Sequence, residues 1–325
     1  MMQTAQAAGL NVLALMHENT AAALYYGINR QDSETAHYAL FYNLGASRVQ
    51  ASVVKYTAWP GAGNKTIEHI EVLSHACNDQ LGGRSFDALL ASHIADEFER
   101  IHKINPRSSE KTMLRIMNHA NKVKKVLSAN KVAYVHDDSL YQGKALSYGV
   151  QREVLENMVT AKAKDLLRPV EEALLLANLT IANINSMEII GGVSRIPKVQ
   201  ELLKAFNSNR DLGMHLNGDE AMAHGAALYA ANFSHDLTVK PMWLSDVIPF
   251  AVTAEFWSPD HPSFAHNTTV FKAGTHVSSQ KQLTLRFAKR TVCRLIAKYS
   301  NHESVLDEYG VADIPGVAAN YSLPL

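Results

Sequence analysis

The sequence predicts an α/β domain followed by an all-β region, and three observations support this fold class. Apolar residues at helical spacing alternate with short strand-like runs as far as about residue 232. After Ser234 the pattern changes to short alternating stretches separated by turn residues, as in β structure. Of the 325 residues, 47% are hydrophobic and 19% are charged, which is enough to bury a sizeable core. We expect one domain over 1–235, a linker over 236–246 and a second domain over 247–325.

The first part of the chain predicts one helix and three strands. Helical spacing runs over Ala5–Tyr26, and Gly27 is a suitable residue for ending a helix. Tyr38–Tyr42 and Val49–Tyr56 have strand character and are joined by a turn of small residues, so they predict a hairpin. A further strand is predicted over Ile67–Ser74.

The middle of the chain predicts mainly helices. An apolar stripe over Ser85–Ile104 predicts a helix there. Another helix is expected to start near Gln151, and Pro169 is expected to separate it from the next helix, since proline breaks a helix interior. Further helices are expected over Ser109–Leu127, Val170–Asn178 and Ala221–Asn232 and from Pro197, with strands over Lys131–Val135, Lys144–Tyr148 and Met187–Ile190. The β region predicts strands over Val252–Phe256, Thr269–Lys272, Gln282–Phe287 and Val292–Ala297.

Charge and composition exclude several classes of protein. Lys+Arg and Asp+Glu both number 31, which disfavours a strongly basic nucleic-acid-binding protein. Two cysteines, Cys77 and Cys293, cannot build a disulfide framework, and no metal site is expected at them. No apolar run reaches the roughly 18 residues of a membrane-spanning helix, and the N-terminus lacks the basic segment of a signal peptide.

Two glycine-containing turns indicate close approach of a ligand to the backbone. Gly191 and Gly192 end a predicted strand and precede a helix, and Gly45, Ala46 and Ser47 form the hairpin turn. Such turns suit phosphate or nucleotide binding, because the backbone N–H groups are accessible. A plain tight turn is the alternative at either place.

Several longer motifs are typical of one protein family. Glu188–Gln200, which reads EIIGGVSRIPKVQ, resembles the adenosine motif of the seventy-kilodalton heat-shock chaperones. Asn11–Gly27 resembles the helix that crosses between its two lobes, and Leu81–Asp87 (LGGRSFD) resembles a turn motif of the family. Leu127-Ser128 ends a lysine-bearing helix as in the family, and Asn217–Ala227 resembles a further motif. The resemblance is collinear over about 230 residues. Val123–Asn130 and Val239–Asp246 resemble the large endoplasmic-reticulum branch, the hypoxia up-regulated (glucose-regulated) protein.

The resemblance implies an actin-like ATPase fold followed by a peptide-binding β-sandwich. Residues from about 30 to 235 would form mainly the second lobe, with a smaller subdomain over about 82–158, and 247–325 would form a partial sandwich. The chain is expected to be N-terminally truncated, starting at the end of the first lobe. ATP or ADP is the implied cofactor, with Mg²⁺ possible alongside it.

The resemblance also assigns candidate site residues. Glu18 matches the catalytic glutamate of the cleft, and Asn43 stands where the family has a phosphate-loop aspartate, which counts against hydrolysis. The expected nucleotide-binding residues are Gly45, Ala46, Ser47, Asn121, Lys124, Lys125, Ser128, Gly191, Gly192, Val193, Arg195 and Asp219. For Lys124 and Lys125 the alternative is a solvated helix end, where the helix dipole favours cations, and for Asp219 it is a helix cap.

The implied function is that of an ATP-binding molecular chaperone that assists protein folding, with ATP hydrolysis left open. Alternatives are a non-hydrolysing protein that holds clients or promotes nucleotide exchange on a smaller chaperone, and an inactive fragment. Expected partners are unfolded polypeptides and, for the non-hydrolysing alternative, a smaller chaperone of the same superfamily, with no nucleic acid and no membrane span. Branch resemblance implies the endoplasmic-reticulum lumen, with the cytoplasm as the alternative.

Overall fold

A computed structural model describes residues 2–28, 35–60, 66–233, 239–240, 242–258, 265–285, 291–299, 305–314 and 319–321. The chain divides into two units. Unit 1 comprises Met1–Ile70 and Ala76–Trp243, and unit 2 comprises Glu71–His75 and Leu244–Leu325. The α/β class, with β structure towards the C-terminus, is confirmed.

The helices and strands follow one another in chain order. The helices are α1 (Met2–Ala7), α2 (Glu18–Ile28), α3 (Gly83–His102), α4 (Glu110–Leu127), α5 (Arg152–Ala161), α6 (Ala163–Leu176), α7 (Pro197–Phe206) and α8 (Ala221–Ala231). The strands are β1 (His37–Leu44), β2 (Val49–Pro60), β3 (Thr66–Asn78), β4 (Val132–Tyr141), β5 (Lys144–Gln151), β6 (Ser186–Ile190), β7 (Met242–Ser245), β8 (Val252–Trp257), β9 (Ala265–Phe271), β10 (Leu283–Leu285), β11 (Thr291–Tyr299), β12 (Val305–Ile314) and β13 (Ala319–Tyr321).

Unit 1 is built on a mixed sheet in the order β6-β1-β2-β3. β1 pairs antiparallel with β2, as the predicted hairpin requires, and parallel with β6. Leu40, Phe41 and Tyr42 of β1 are completely buried, so this strand lies in the core with both faces covered. Its parallel pairing with β6 brings the ends of the two strands, at Asn43 and Ile190, side by side. Both glycine-containing turns therefore leave the sheet at the same edge.

The region around α3 and α4 forms a smaller helical layer over the β4–β5 hairpin. Phe86 and Phe98 of α3 and Ile116 and Leu127 of α4 are fully buried between these elements. These positions repeat at helical spacing, which is why the sequence pattern locates both helices. One face of α4 and the turns that follow β1 and β6 face the same space.

Asp137 of β4 anchors this layer through charge. Its two carboxylate oxygens lie 2.6 and 2.7 Å from the Arg115 guanidinium, and His119 Nε2 lies 3.1 Å from Oδ2. Burial raises the pKa of Asp137, but hydrogen bonds from His119 and the Ser139 backbone, with the charge of Arg115, hold it below its ordinary value. The carboxylate therefore stabilises the folded layer while it is ionised.

The first predicted helix, Ala5–Tyr26, is wrong as a single element. The structure has α1 and α2 separated by non-helical residues 10–17. Gly9 adopts a φ of 77°, and its N–H bonds to the Gln6 carbonyl, which ends α1 in a left-handed turn. Leu13 and Leu15 are each 58% exposed, so burial does not support a helix across this stretch.

The predicted break at Pro169 is also wrong, because this proline lies inside α6. The boundary between α5 and α6 falls at Lys162 instead. Proline has no N–H to donate to the carbonyl four residues earlier, that of Asp165. The Asn78 side chain, 3.5 Å away, donates a hydrogen bond to that carbonyl. A tertiary contact thus satisfies the group that the proline leaves free.

Unit 2 contains antiparallel sheets. Four strands are ordered β12-β11-β8-β9, and β10 pairs with β13. The strands predicted over Val252–Phe256, Thr269–Lys272 and Val292–Ala297 correspond to β8, β9 and β11. The strand predicted over Gln282–Phe287 is found only as β10, and residues 286–287 lie outside the described residues. The sequence pattern does not predict β12, since Gly310 and its acidic neighbours interrupt the alternation that marks a strand.

Among the residues that the structure describes, no helix is long and apolar enough to cross a membrane.

Candidate functional site

Most of the predicted nucleotide-binding residues surround a single cavity in unit 1. Its volume is about 850 Å³, within the usual range for small-molecule sites. The turn after β1, the start of α3, one face of α4, the turn after β6 and the loop before α8 all contribute to its wall. The predicted residues that line it are Ala46, Asn121, Lys124, Lys125, Ser128, Gly192, Val193, Arg195 and Asp219. Segments far apart in the sequence therefore converge on the cavity.

Gly191 shapes the turn after β6. Its φ of 85° and ψ of 140° are accessible mainly to glycine. A Cβ at this position would overlap the Leu44 carbonyl and lie 2.8 Å from Asn43 Oδ1. Gly192 then starts a 3₁₀ turn that ends at Arg195. Apart from its immediate neighbours in the chain, none of the described residues has a heavy atom within 4 Å of the position of a Cβ there. Gly191 therefore fixes the backbone, while Gly192 leaves it open towards the cavity.

The turn after β1 is held by the first residues of α3. Gly45 N–H bonds to the Arg48 carbonyl at 3.1 Å, and the N–H groups of Gly83 and Arg84 bond to the carbonyls of Gly45 and Ala46 at 2.9 and 2.7 Å. Ala46 lines the cavity, whereas Gly45 and Ser47 are not among its lining residues. The backbone at the start of α3 thus fixes the conformation of this turn.

Lys124 is buried in the wall and is not a solvated helix end. Its residue exposure is 8%, and Nζ donates a hydrogen bond to the Gly83 carbonyl at 2.9 Å. Nζ also lies 2.8 Å from Asp87 Oδ1, a close ion pair without hydrogen-bond geometry. Asn121 Nδ2 donates to Asp87 Oδ2 at 3.0 Å. These contacts join α3 to α4 across one side of the cavity.

Lys125 and Ser128 lie further along the same face of α4. Lys125 is exposed, so the alternative of a solvated helix end stays open for it. The Ser128 hydroxyl donates to the Lys124 carbonyl at 3.1 Å, and its oxygen still has acceptor capacity.

Arg195 and Asp219 form an ion pair at the cavity mouth. Arg195 Nη2 donates to Asp219 Oδ2 at 2.7 Å, and both side chains are more than 60% exposed. Asp219 therefore orients an arginine, and the residue at the N-cap of α8, Glu220, makes no side-chain capping bond. An exposed ion pair contributes little stability by itself, so this guanidinium can reorient at small cost.

The two predicted catalytic residues are neighbours outside the cavity lining. Asn43 is 3% exposed, and its Nδ2 donates to Glu18 Oε2 at 3.3 Å. Glu18 is the first residue of α2, and Asn43 lies near the end of β1. An amide in contact with a carboxylate presents a donor where a cation would need an acceptor. Within the described residues, no group of three His, Cys, Asp or Glu side chains is placed to hold a metal.

Sequence reasoning misses part of the cavity lining. The additional residues are Arg84, Asp87, Met117, Asn118 and Ile196. Met117 and Asn118 precede the predicted α4 residues by three or four positions, so helical periodicity alone could have identified them. Arg84 and Asp87 belong to the turn motif that resembles the chaperone family, but the resemblance assigns no ligand role to them.

Comparison with known proteins gives relatives along nearly the whole chain. A family model described as Hsp70 protein matches residues 1–319. A heat shock protein homolog of Lachancea kluyveri is 34% identical over 322 residues, which cover 96% of this chain and 44% of that protein. Heat shock 70 kDa protein 17 of Arabidopsis thaliana is 30% identical over 266 residues, covering 80% of this chain and 31% of that protein. Human heat shock 70 kDa protein 4L is 32% identical over 308 residues, which cover 93% of this chain and 35% of that protein.

The chain thus spans less than half the length of these curated relatives. The mixed sheet with its helices agrees with the actin-like ATPase fold, and the small antiparallel sheets agree with a partial β-sandwich. Together, the fold and the family match over residues 1–319 show that the chain belongs to the Hsp70 family.

Proposed function

We propose that this chain acts as a chaperone of the Hsp70 family that binds adenine nucleotide in the 850 Å³ cavity and hydrolyses it poorly. One observation supports this most strongly. Nine of the twelve residues expected to bind nucleotide line this cavity, although they come from four separate segments of the chain. Unrelated surface residues would not converge in this way. Unfolded polypeptide clients are the proposed partners.

The residues around the cavity suit an adenosine group. The Arg195 guanidinium is exposed and can stack on a flat base, and the open backbone at Gly192 permits close approach. Val193 supplies apolar surface and Ser128 a hydroxyl, both from the lining. Lys124 is committed to Asp87, so we assign it a positioning role in the wall.

Mg²⁺ fits this chain less well than adenosine does. Asn43 points its amide donor at Glu18, and a neutral amide cannot balance the charge of a divalent ion as a carboxylate does. The metal, when bound with nucleotide, would neutralise phosphate charge during phosphoryl transfer. Of Glu18 and Asn43, only Glu18 has a carboxylate that could assist the metal. We therefore propose nucleotide binding with slow turnover.

Calorimetric titration of the purified chain with ADP and ATP, with and without Mg²⁺, tests this proposal. We expect saturable binding that Arg195→Ala weakens about tenfold, since one stacked guanidinium contributes about 1–2 kcal/mol. Arg100→Ala is the matched control, because Arg100 is exposed and does not line the cavity. Absence of binding by a folded chain, or a family-typical rate of ATP hydrolysis, would contradict the proposal.

A second candidate function is assistance to a smaller chaperone of the same superfamily without hydrolysis of ATP. The Asn43–Glu18 hydrogen bond favours it, because the pair is arranged as a structural contact. In that case the chain accelerates release of labelled ADP from the smaller chaperone, or it suppresses aggregation of a denatured client. Unchanged release and unchanged aggregation with a folded chain would exclude both activities.

We further propose membership of the large endoplasmic-reticulum branch and a lumenal location. This proposal is supported only by the resemblance of Val123–Asn130 and Val239–Asp246 to that branch. Subcellular fractionation with protease protection of the endogenous protein tests it. Protection that is lost only when detergent is added supports the lumen, and digestion without detergent supports the cytoplasm.

A further inference from the structure

The charges around the cavity do not cancel. Its wall contains the cations Arg84, Lys124, Lys125 and Arg195 and the carboxylates Asp87 and Asp219. A concave surface with an excess of one sign concentrates its field and attracts ligands of the opposite sign. The identity of the unpaired cations therefore indicates where an anionic part of a ligand binds.

Both carboxylates are already paired with a cation. Asp87 lies 2.8 Å from the Lys124 ammonium, and Asp219 accepts a 2.7 Å hydrogen bond from Arg195. These two ion pairs are local and close to neutral. The excess positive charge of the wall therefore belongs to its two remaining cations.

Arg84 and Lys125 are those remaining cations. Both are exposed, and across the described segments neither side chain has a hydrogen-bond or ion-pair partner. Two cations that line one cavity without a counter-charge give its wall a positive field. This field would attract a ligand that carries several negative charges.

The backbone of Arg84 is fixed to the turn after β1. Its N–H donates to the Ala46 carbonyl at 2.7 Å, and Ala46 itself lines the cavity. Lys125 lies on α4, and among the described residues no backbone hydrogen bond joins α4 to this turn. Of the two cations, Arg84 is thus the one anchored beside the turn that ends β1.

We infer that Arg84 binds the phosphate groups of the nucleotide and makes the cavity prefer nucleoside di- and triphosphates to the free nucleoside. The inference rests on the proposed nucleotide binding and adds to it a residue for phosphate selectivity. A guanidinium offers paired N–H donors that match phosphate oxygens, which an ammonium on α4 cannot reproduce. Arg84 thus provides selectivity, while Arg195 and Gly192 hold the adenosine group.

Calorimetry with adenosine, ADP and tripolyphosphate, in the absence of Mg²⁺, tests this inference on the full chain. We expect Arg84→Gln to weaken ADP binding about ten- to a hundredfold, the effect of losing one charge-assisted hydrogen bond. Adenosine binding should be unchanged, and tripolyphosphate binding should weaken together with that of ADP. Arg84→Lys should lie between the wild type and Arg84→Gln.

Arg100→Gln is the matched control, since it removes an exposed arginine from the same helix at a distance from the cavity. Circular dichroism checks that each variant folds, which we expect because the Arg84 side chain has no partner to lose within the described residues. Equal ADP-to-adenosine affinity ratios in the wild type and Arg84→Gln would overturn the inference and leave the proposed function standing. Failure of the folded wild type to bind either adenosine or ADP would overturn both.

Discussion

Replacing Gly191 by alanine tests whether the turn after β6 depends on a backbone that glycine alone adopts readily. The φ of 85° and ψ of 140° are unfavourable for a residue with a side chain. The added methyl group would also overlap the Leu44 carbonyl and press on Asn43 Oδ1 at 2.8 Å. Both atoms belong to the buried end of β1, so neither can move without disturbing the sheet.

The unfavourable backbone conformation and the steric overlap of the methyl group together set the size of the loss in stability. A residue forced into a sparsely populated backbone region costs about 1–3 kcal/mol. Overpacking against a rigid neighbour costs about 1–3 kcal/mol more. We therefore expect Gly191→Ala to lower the free energy of unfolding by about 4 kcal/mol, a large part of the roughly 5–15 kcal/mol of a typical domain.

Gly192→Ala is the matched control one residue further along. In the described part of the chain, only its immediate chain neighbours come within 4 Å of its Cβ position, and its φ is outside the left-handed region. We expect a change within about 1 kcal/mol there, of either sign. Urea unfolding followed by circular dichroism measures both variants. Equal unfolding midpoints for the two variants would refute this account of the turn.

Three further substitutions test contacts made by carboxylate side chains. Asp87→Asn leaves the Lys124 ammonium buried without its counter-charge and should lower the free energy of unfolding by about 3–5 kcal/mol. The double variant Asp87→Leu, Lys124→Met should lose less stability in the same urea titration. Equal losses in the two variants would count against the ion pair. Asn43→Asp places a second carboxylate against Glu18, so the melting temperature should fall. Millimolar Mg²⁺ should raise the melting temperature of this variant and not that of the wild type. An equal rise in the wild type would contradict this prediction. Asp137→Asn should lower the free energy of unfolding by about 1 kcal/mol at neutral pH. Because the folded pKa of this carboxyl is lowered, the loss of stability should be constant above about pH 5 and shrink below about pH 4. A loss of stability that does not change with pH would exclude the proposed role of its charge.

The turn from Gly191 to Arg195 could be predicted from the sequence because its signal is local. Gly191, Gly192 and Arg195 lie in one short segment, and the strand–turn arrangement of that segment is fixed by neighbouring residues. The hairpin of β1 and β2 was predictable for the same reason, since its turn and both strands are contiguous. Local propensity and local geometry agree at these places.

The role of Lys124 could not be predicted, because its partner lies on another helix. The sequence shows a lysine near the end of α4, and a helix dipole explains that position without any partner. Only the packing of α3 against α4 brings Asp87 within 2.8 Å and buries the pair. The wrong break at Pro169 has a similar origin, since Asn78 lies 87 positions from the carbonyl that it satisfies. Distant contacts of this kind leave no periodic pattern in the sequence.

The cavity combines residues that hold its shape with residues that can respond to a ligand, and these two sets differ in burial. A Cβ at Gly83 would lie 2.7 Å from Val193 Cγ2 and 3.0 Å from Lys124 Nζ, so side chains of the cavity wall would have to shift to accommodate it. Substitutions on this closely packed side change the fold and the site together, so a loss of binding there says little about ligand contacts. Arg84 and Arg195 are exposed and contribute little to stability. Binding measured with variants of these two arginines therefore reports on the ligand itself, and comparing them tests the proposed division between recognition of phosphate and recognition of adenosine.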